Sequence, residues 1–260
     1  MTTTVAIIGA SGRMGRLVAE LVETSPDFET VASLGSGDDL AGMLAADVVV
    51  DVTVQPASQA VVEFAVAHAK SILVGTSGWS ADRIATVARR VAEKRDEAPG
   101  LAVIFVPNFS IGSVLATSFA ASAARFFESI EIIEAHHAGK VDSPSGTAVR
   151  TAELIGEARA AIGPVIAPHA DQRARGQQVA SIPIHSLRMQ GVVAKQDVVF
   201  GGTGEVLTLS HEILAPTAYS AGIVLALRAL VGQTGVIVGL DRLIDLGGSS
   251  NDKGVPGDAV

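Results

Sequence analysis

The sequence predicts an α/β protein in two parts: a doubly wound parallel sheet, then an α+β region with a mostly antiparallel sheet. Two observations carry this. Through residue 107, short, continuously apolar runs alternate with segments of helical spacing, the pattern of a parallel sheet covered on both faces. Beyond it, three long strand patterns follow one another through Gly-rich turns, as antiparallel hairpins do.

The elements follow in order. "TVAIIGA" (4–10) is a β-branched run that stops at glycine, and "RMGRLVAELVET" (13–24) puts Met14, Leu17, Val18 and Leu21 on one helix face. Strands are expected at 29–35 and 47–53, a helix at 56–69, and a strand at 71–78. A helix capped by Ser80 covers 80–94, and "LAVIFVPNFS" (101–110) closes the parallel series. The second part opens with a small-residue helix (111–127) and a strand (129–137), followed by a helix (145–161) and a polar loop (163–178). Strands at 182–189, 191–201 and 205–214 come next, the last two joined by "GGTG". A helix (218–230) leads to "GVIVGLDRLIDL" (235–246), which returns to the first sheet. The division is therefore 1–107 with 217–246 as one domain and 108–216 as the other; 247–260 has the composition of a disordered tail.

Composition narrows the function. The chain has 260 residues, no cysteine and a net charge of −8, so thiol chemistry is excluded and no basic surface for nucleic acid is expected. No uninterrupted apolar run of ~18 residues and no secretory leader are read, so a cytoplasmic protein without membrane contact is expected. An apolar fraction of 48% suggests surface buried between subunits.

"GASGRMG" puts Gly9, Gly12 and Gly15 between the first strand and first helix. In that context Gly9, Ala10, Ser11, Gly12, Arg13 and Met14 read as a Rossmann-like pyrophosphate loop, with the helix N-terminus aimed at the phosphates. An acid that would hold a ribose 2′-hydroxyl is expected at the end of the second strand, where Gly35 stands instead. Asp38 and Asp39 come later, as expected of caps, so NADPH or NADH is allowed and discrimination is expected to be weak. Gly75, Thr76 and Ser77 after the fourth strand, and Val106, Pro107, Asn108 and Phe109 after the fifth, lie at carboxyl ends of strands, where the nicotinamide half would bind.

"EAHHAGKVDSPSGTA" (134–148) gathers the remaining chemistry. His136 and His137 are adjacent on a strand and point to opposite faces, so they have different roles. Lys140, one of five lysines, is expected to turn its ammonium toward His136. The helix begins at about Ser145, and the free N–H groups at Gly146 and Thr147 form an anion site. The stretch reads as a receptor for an acidic small molecule that is protonated there. No metal is expected, since adjacent histidines do not chelate one ion and Glu134 and Asp142 are not spaced as ligands. His68, His169, His185 and His211 read as structural, with His185 bordering the same cavity as the alternative.

These motifs, with "GTSGWS", "VPNFSIG", "HSLRMQGVVAKQDVVFGGTGEVLTLSH" and "GLDRLIDL", resemble the 4-hydroxy-tetrahydrodipicolinate (dihydrodipicolinate) reductases of diaminopimelate and lysine biosynthesis. The resemblance implies NAD(P)H-dependent reduction of a cyclic dicarboxylate in a homotetramer. It implies His136 as proton donor/acceptor, Lys140 as proton donor, and His137, Gly146 and Thr147 as substrate contacts. Three residues depart from the family pattern: Gly35 where an acid is common, Ser77 for a threonine, and Lys195 for a histidine. The competing readings are another two-domain dehydrogenase, of the aspartate dehydrogenase kind, and a nucleotide sensor without turnover.

Overall fold

The computed structural model describes residues 2–244; the tail expected at 247–260 lies outside them. Six parallel strands form the first sheet in the order β11-β5-β4-β3-β1-β2. They are β1 (Thr3–Ile8), β2 (Phe28–Leu34), β3 (Val48–Asp51), β4 (Ser71–Val74), β5 (Ala102–Phe105) and β11 (Gly235–Val238). Helices α1 (Arg13–Thr24), α2 (Gln55–Ala67), α3 (Ala81–Glu93) and α6 (Ser220–Gly232) accompany them. Two apolar clusters flank the sheet, as continuous strands require. Val5, Ile7 and Val50 face Val18 of α1 and Leu227 of α6, while Ala6, Ile8 and Val49 face Val62 of α2 and Val87 of α3. The order of winding reverses between β1 and β3, which places a crevice above their carboxyl ends.

The second sheet runs β10-β9-β6-β8-β7. Its strands are β6 (Ser129–His137), β7 (Gln177–Val179), β8 (Ile182–Met189), β9 (Ala194–Gly202) and β10 (Glu205–Ile213). Three of its four pairings are antiparallel; β6 and β8 are parallel, because helix α5 (Gly146–Ala158) crosses between them. Helix α4 (Ile111–Ala123) packs beside α5 on one face, where Ile130, Ile132, Ile184, Val198 and Phe200 are buried with Ala120, Ala152 and Ile155. Period-two alternation sends Ile133, Leu187, Met189 and Val206 to the opposite face, where they are exposed.

Several bounds differ from the sequence reading. The short β7 lies at the end of the segment expected to be loop, and β9 begins at Ala194 after a turn. Strand β11 ends at Val238 and gives way to a 3-10 turn (Leu240–Leu243). Among the described residues, no helix is long and apolar enough to cross a membrane.

Candidate active site

The loop after β1 is built by steric need. Gly9 has φ +89°, and a Cβ there would lie 2.8 Å from the Val52 carbonyl oxygen. At Gly15 a Cβ would come within 2.2 Å of the Gly9 carbonyl oxygen, so helix and loop touch backbone to backbone. The Gly9 and Ala10 N–H groups both donate to the Leu34 carbonyl, at 2.8 and 3.2 Å. These two amides are thereby committed to the sheet. Helix α1 has no side-chain cap at Gly12, unlike α3, α4 and α5, each capped by a serine. Its first N–H groups therefore remain available to an anion.

Beside this loop lies a cavity of about 610 Å³ whose lining includes Ser11, Arg16, Ser33, Gly35 and Asp38. Arg13 and Met14 sit on the first turn of α1, Arg13 exposed and Met14 packed against the core. Across the crevice, Thr76 is buried, and its Oγ1 has no hydrogen-bond partner among the described residues. A buried hydroxyl without a partner suits a ligand group that supplies one. Ser77 and Pro107 are exposed, whereas Val106 and the Phe109 ring belong to the core. The ring packs so closely that a Cβ on Gly75 would lie 2.6 Å from it. Val106 and Phe109 thus offer backbone rather than side chains to the crevice. An uncapped helix start, close backbone approach, a cavity at the second strand and the open hydroxyl of Thr76 together fit a dinucleotide.

The histidine stretch is organised around a carboxylate. Glu134 is fully buried and accepts paired hydrogen bonds from Arg188, both at 2.9 Å. It also accepts the Ser145 N–H at 3.2 Å and the Nδ1–H of His136 at 2.6 Å. Burial works to raise the Glu134 pKa, but hydrogen bonds from Arg188, Ser186 and His136 hold it below its ordinary value. The carboxylate is charged and accepts only, so Nδ1 carries the proton and Nε2 is the nitrogen left for exchange. Burial lowers the His136 pKa against the raising effect of Glu134; the charges of Lys140 and Arg188 act with burial.

Lys140 departs from the sequence expectation. Its ammonium pairs with Asp142 at 2.7 Å rather than reaching the imidazole, because the turn after β6 brings that carboxylate nearer. His137 is exposed, on the other face of β6 from the buried Glu134. Ser145 caps α5 by accepting the Ala148 N–H, which leaves Gly146 exposed and Thr147 half-buried at the helix start. Asn108 Nδ2 donates to Thr147 Oγ1 at 3.5 Å and to Ser113 Oγ at 2.9 Å. This contact joins the loop after β5 to the helix that follows the histidines. The dinucleotide crevice and the His136 region are therefore neighbours.

Other residues find plain roles. His185 bonds Glu131 at 2.6 Å and does not join Glu134, while Lys195 pairs with Asp197 at 3.1 Å. His211 meets Ser110 Oγ at 3.2 Å. Asp39 caps the turn at Leu40–Ala45, but Asp38 instead accepts the Gly35 N–H. Among the described residues, no three His, Cys, Asp or Glu side chains are gathered to hold a metal ion. Sequence reasoning missed Glu134 and Arg188 as site residues. The spacing of Glu134 and His136 on one strand face was the available signal.

Two family models match the chain in succession. The family model described as "Dihydrodipicolinate reductase, N-terminus" matches residues 3–109, and "Dihydrodipicolinate reductase, C-terminus" matches 112–244. A 4-hydroxy-tetrahydrodipicolinate reductase of Clavibacter michiganensis is 67% identical over 96% of this chain and 88% of its own. One from Streptomyces griseus is 41% identical over 93% of this chain and 98% of its own. A dipicolinate-bound dihydrodipicolinate reductase from a Paenisporosarcina species superposes with a TM-score of 0.78 at 27% identity, covering 94% of this chain and all of that one. By two family models that together span its sheets, and by relatives matching along nearly its whole length, the chain belongs to the dihydrodipicolinate reductase family.

Proposed function

We propose that this chain reduces 4-hydroxy-tetrahydrodipicolinate to tetrahydrodipicolinate with loss of water, using NADPH or NADH, in the cytoplasmic synthesis of diaminopimelate and lysine. The observation that carries the reading is the Glu134–His136 pair, fixed by Arg188 and joined through Ser145 and Thr147 to the loop after β5.

The loop Gly9 to Met14 would line the pyrophosphate, with the N–H groups of Arg13 and Met14 at the uncapped start of α1 as its donors, and the cavity at Gly35 would take the adenosine. Gly75 to Ser77 and Val106 to Phe109 would line the nicotinamide side, with Thr76 Oγ1 as a free polar contact. The bound dihydronicotinamide supplies the hydride. The chain's own task is to bind a dicarboxylate, dehydrate it and deliver one proton. The N–H groups at Gly146 and Thr147, at the start of α5, would take one carboxylate, and the exposed His137 the same anion from the side. Loss of water from the substrate leaves a conjugated cyclic imine. Its reduction produces an electron-rich enamine, whose carbon takes a proton from His136 Nε2 or from Lys140. Hydride, proton and water then balance: substrate, reduced nucleotide and H⁺ become product, oxidised nucleotide and H₂O. Glu134 stabilises a protonated ring, and Arg188 keeps the carboxylate charged while it does so.

The proposed division is 1–107 with 217–246 for the nucleotide and 108–216 for the substrate, supported by the pairing of β11 with β5. A homotetramer is supported by the apolar face of the second sheet, where Ile133, Leu187 and Met189 are exposed. The deciding experiment supplies the purified chain with the product of the preceding synthase and follows oxidation of NADH and NADPH. Substrate-dependent oxidation is expected. Nucleotide binding without turnover would favour the sensor instead.

A further inference from the structure

An acid at the end of the second strand normally takes the ribose 2′-hydroxyl and disfavours a 2′-phosphate. Here that position is Gly35, and the bare glycine alone predicts weak discrimination. We propose that Asp38 supplies the missing carboxylate from three residues downstream and makes the pocket selective for the nucleotide lacking the 2′-phosphate. The proposal rests on the nucleotide reading above.

The loop folds so that Asp38 Oδ2 accepts the Gly35 N–H at 2.7 Å. A Cβ built on Gly35 would lie 3.7 Å from that oxygen and 4.0 Å from Ser11 Oγ. The Asp38 carboxylate thus stands about where the head group of an acid at position 35 would end. Both residues line the cavity beside the glycine loop. The neighbouring acid does different work: Asp39 accepts the Ala41 N–H and caps the following turn. A carboxylate has acceptor sites on both oxygens, so Asp38 can hold Gly35 and still accept a ribose hydroxyl.

The surrounding charge points the same way. Arg16 is the cation in the cavity lining, and its guanidinium donates to the Ser11 carbonyl. Glu20 and Glu23 line the cavity with Asp38, so three carboxylates face one guanidinium. A ribose hydroxyl donates a hydrogen bond into that field, whereas a 2′-phosphate brings further negative charge against it.

The test is calorimetric Kd for NADH and NADPH with the full chain and with Asp38→Asn, which keeps an acceptor for the Gly35 N–H and removes the charge. The wild type is expected to bind NADH about tenfold more tightly or better, and the variant to bring the two within about threefold. Raising the salt should narrow the wild-type ratio, a measurement that needs no variant. Equal wild-type affinities, a ratio unchanged in Asp38→Asn, or a ratio that salt does not narrow would each overturn the role of Asp38. Failure of either nucleotide to bind the wild type would overturn the nucleotide reading itself.

Discussion

The Glu134 carboxylate and the His136 imidazole, two residues apart on β6, meet at 2.6 Å on the side of the sheet that faces α4 and α5. Their surroundings differ: the Glu134 side chain is 0% exposed, while the His136 side chain is 17% exposed. The carboxylate therefore acts on the ring rather than on a ligand. Arg188 and the Ser145 N–H occupy its other acceptor positions. The imidazole is left with one orientation and one tautomer.

Glu134→Gln tests this. Removing the charge takes away the influence that raises the His136 pKa, so that pKa, already low, should fall further. The change also strands Arg188 beside a neutral amide, and loss of one partner of a buried pair costs about 3 kcal/mol or more. An NMR titration of the ring should show the drop, with kcat reduced by at least about tenfold. An unmoved titration with full turnover would show that the carboxylate does not set the ring's proton.

His136→Gln and Lys140→Ala should each lower kcat by ~10²-fold or more while leaving nucleotide Kd unchanged. Asp142→Ala is the informative contrast. Its carboxylate is 58% exposed in the pair with Lys140, so its loss should shift stability by less than about 1 kcal/mol. Unimpaired turnover in both the His136 and Lys140 variants would remove them from the chemistry.

The parallel sheet was legible because most of its strands are short apolar runs, the edge strand β2 with Glu29 and Thr30 being the exception, and β6, β8 and α1 match their expected bounds residue for residue. The glycine loop was legible from its spacing between strand and helix, where Gly15 meets the local Gly9 backbone and Gly9 adopts a positive φ, although the contact of Gly9 with Val52 is long-range. What was hidden depends on long-range pairing. Arg188 reaches Glu134 only because β8 lies parallel to β6 with His136 opposite Arg188. The spacing within "EAHHAGKVD" does not reveal whether Lys140 turns back to the ring or onward to Asp142. The placement of Asp38 was hidden too, because a loop that folds onto its own amide leaves no periodic trace.

Stability should fall as the solution is acidified below neutrality. Burial lowers the pKa of both His136 and His211 in the folded chain. Below the unfolded value of about 6.5, the unfolded chain takes up protons that the native chain refuses, which favours unfolding. Above that value neither histidine contributes a slope. Thermal melts should therefore be flat from weakly alkaline to neutral pH and decline on the acid side, before Glu134 and Asp142, both lowered, begin to protonate. His211→Gln should make the decline shallower.

Leu187→Asp should break the assembly. Leu187 and Ile133 are each 39% exposed on the face of the second sheet away from α4 and α5. A charge there cannot be buried against another subunit without a partner. Light scattering should give four chains for the wild type and fewer for the variant. A monomeric wild type would remove the tetramer reading.

Gly15→Ala separates packing from chemistry at the other end of the molecule. A methyl there would sit 2.2 Å from the Gly9 carbonyl oxygen, so α1 must move off the loop. That helix is anchored by Val18 and Val22 in the core and cannot shift without disturbing them. Overpacking of this kind costs about 1–3 kcal/mol. The same displacement withdraws the uncapped N–H groups from the crevice, so nucleotide affinity should drop at least about tenfold. Gly100→Ala, where a Cβ meets nothing within 4 Å, is the control and should leave both quantities unchanged. A Gly15→Ala variant as stable as the control and binding nucleotide normally would mean that the close contact between helix and loop does not shape the pocket.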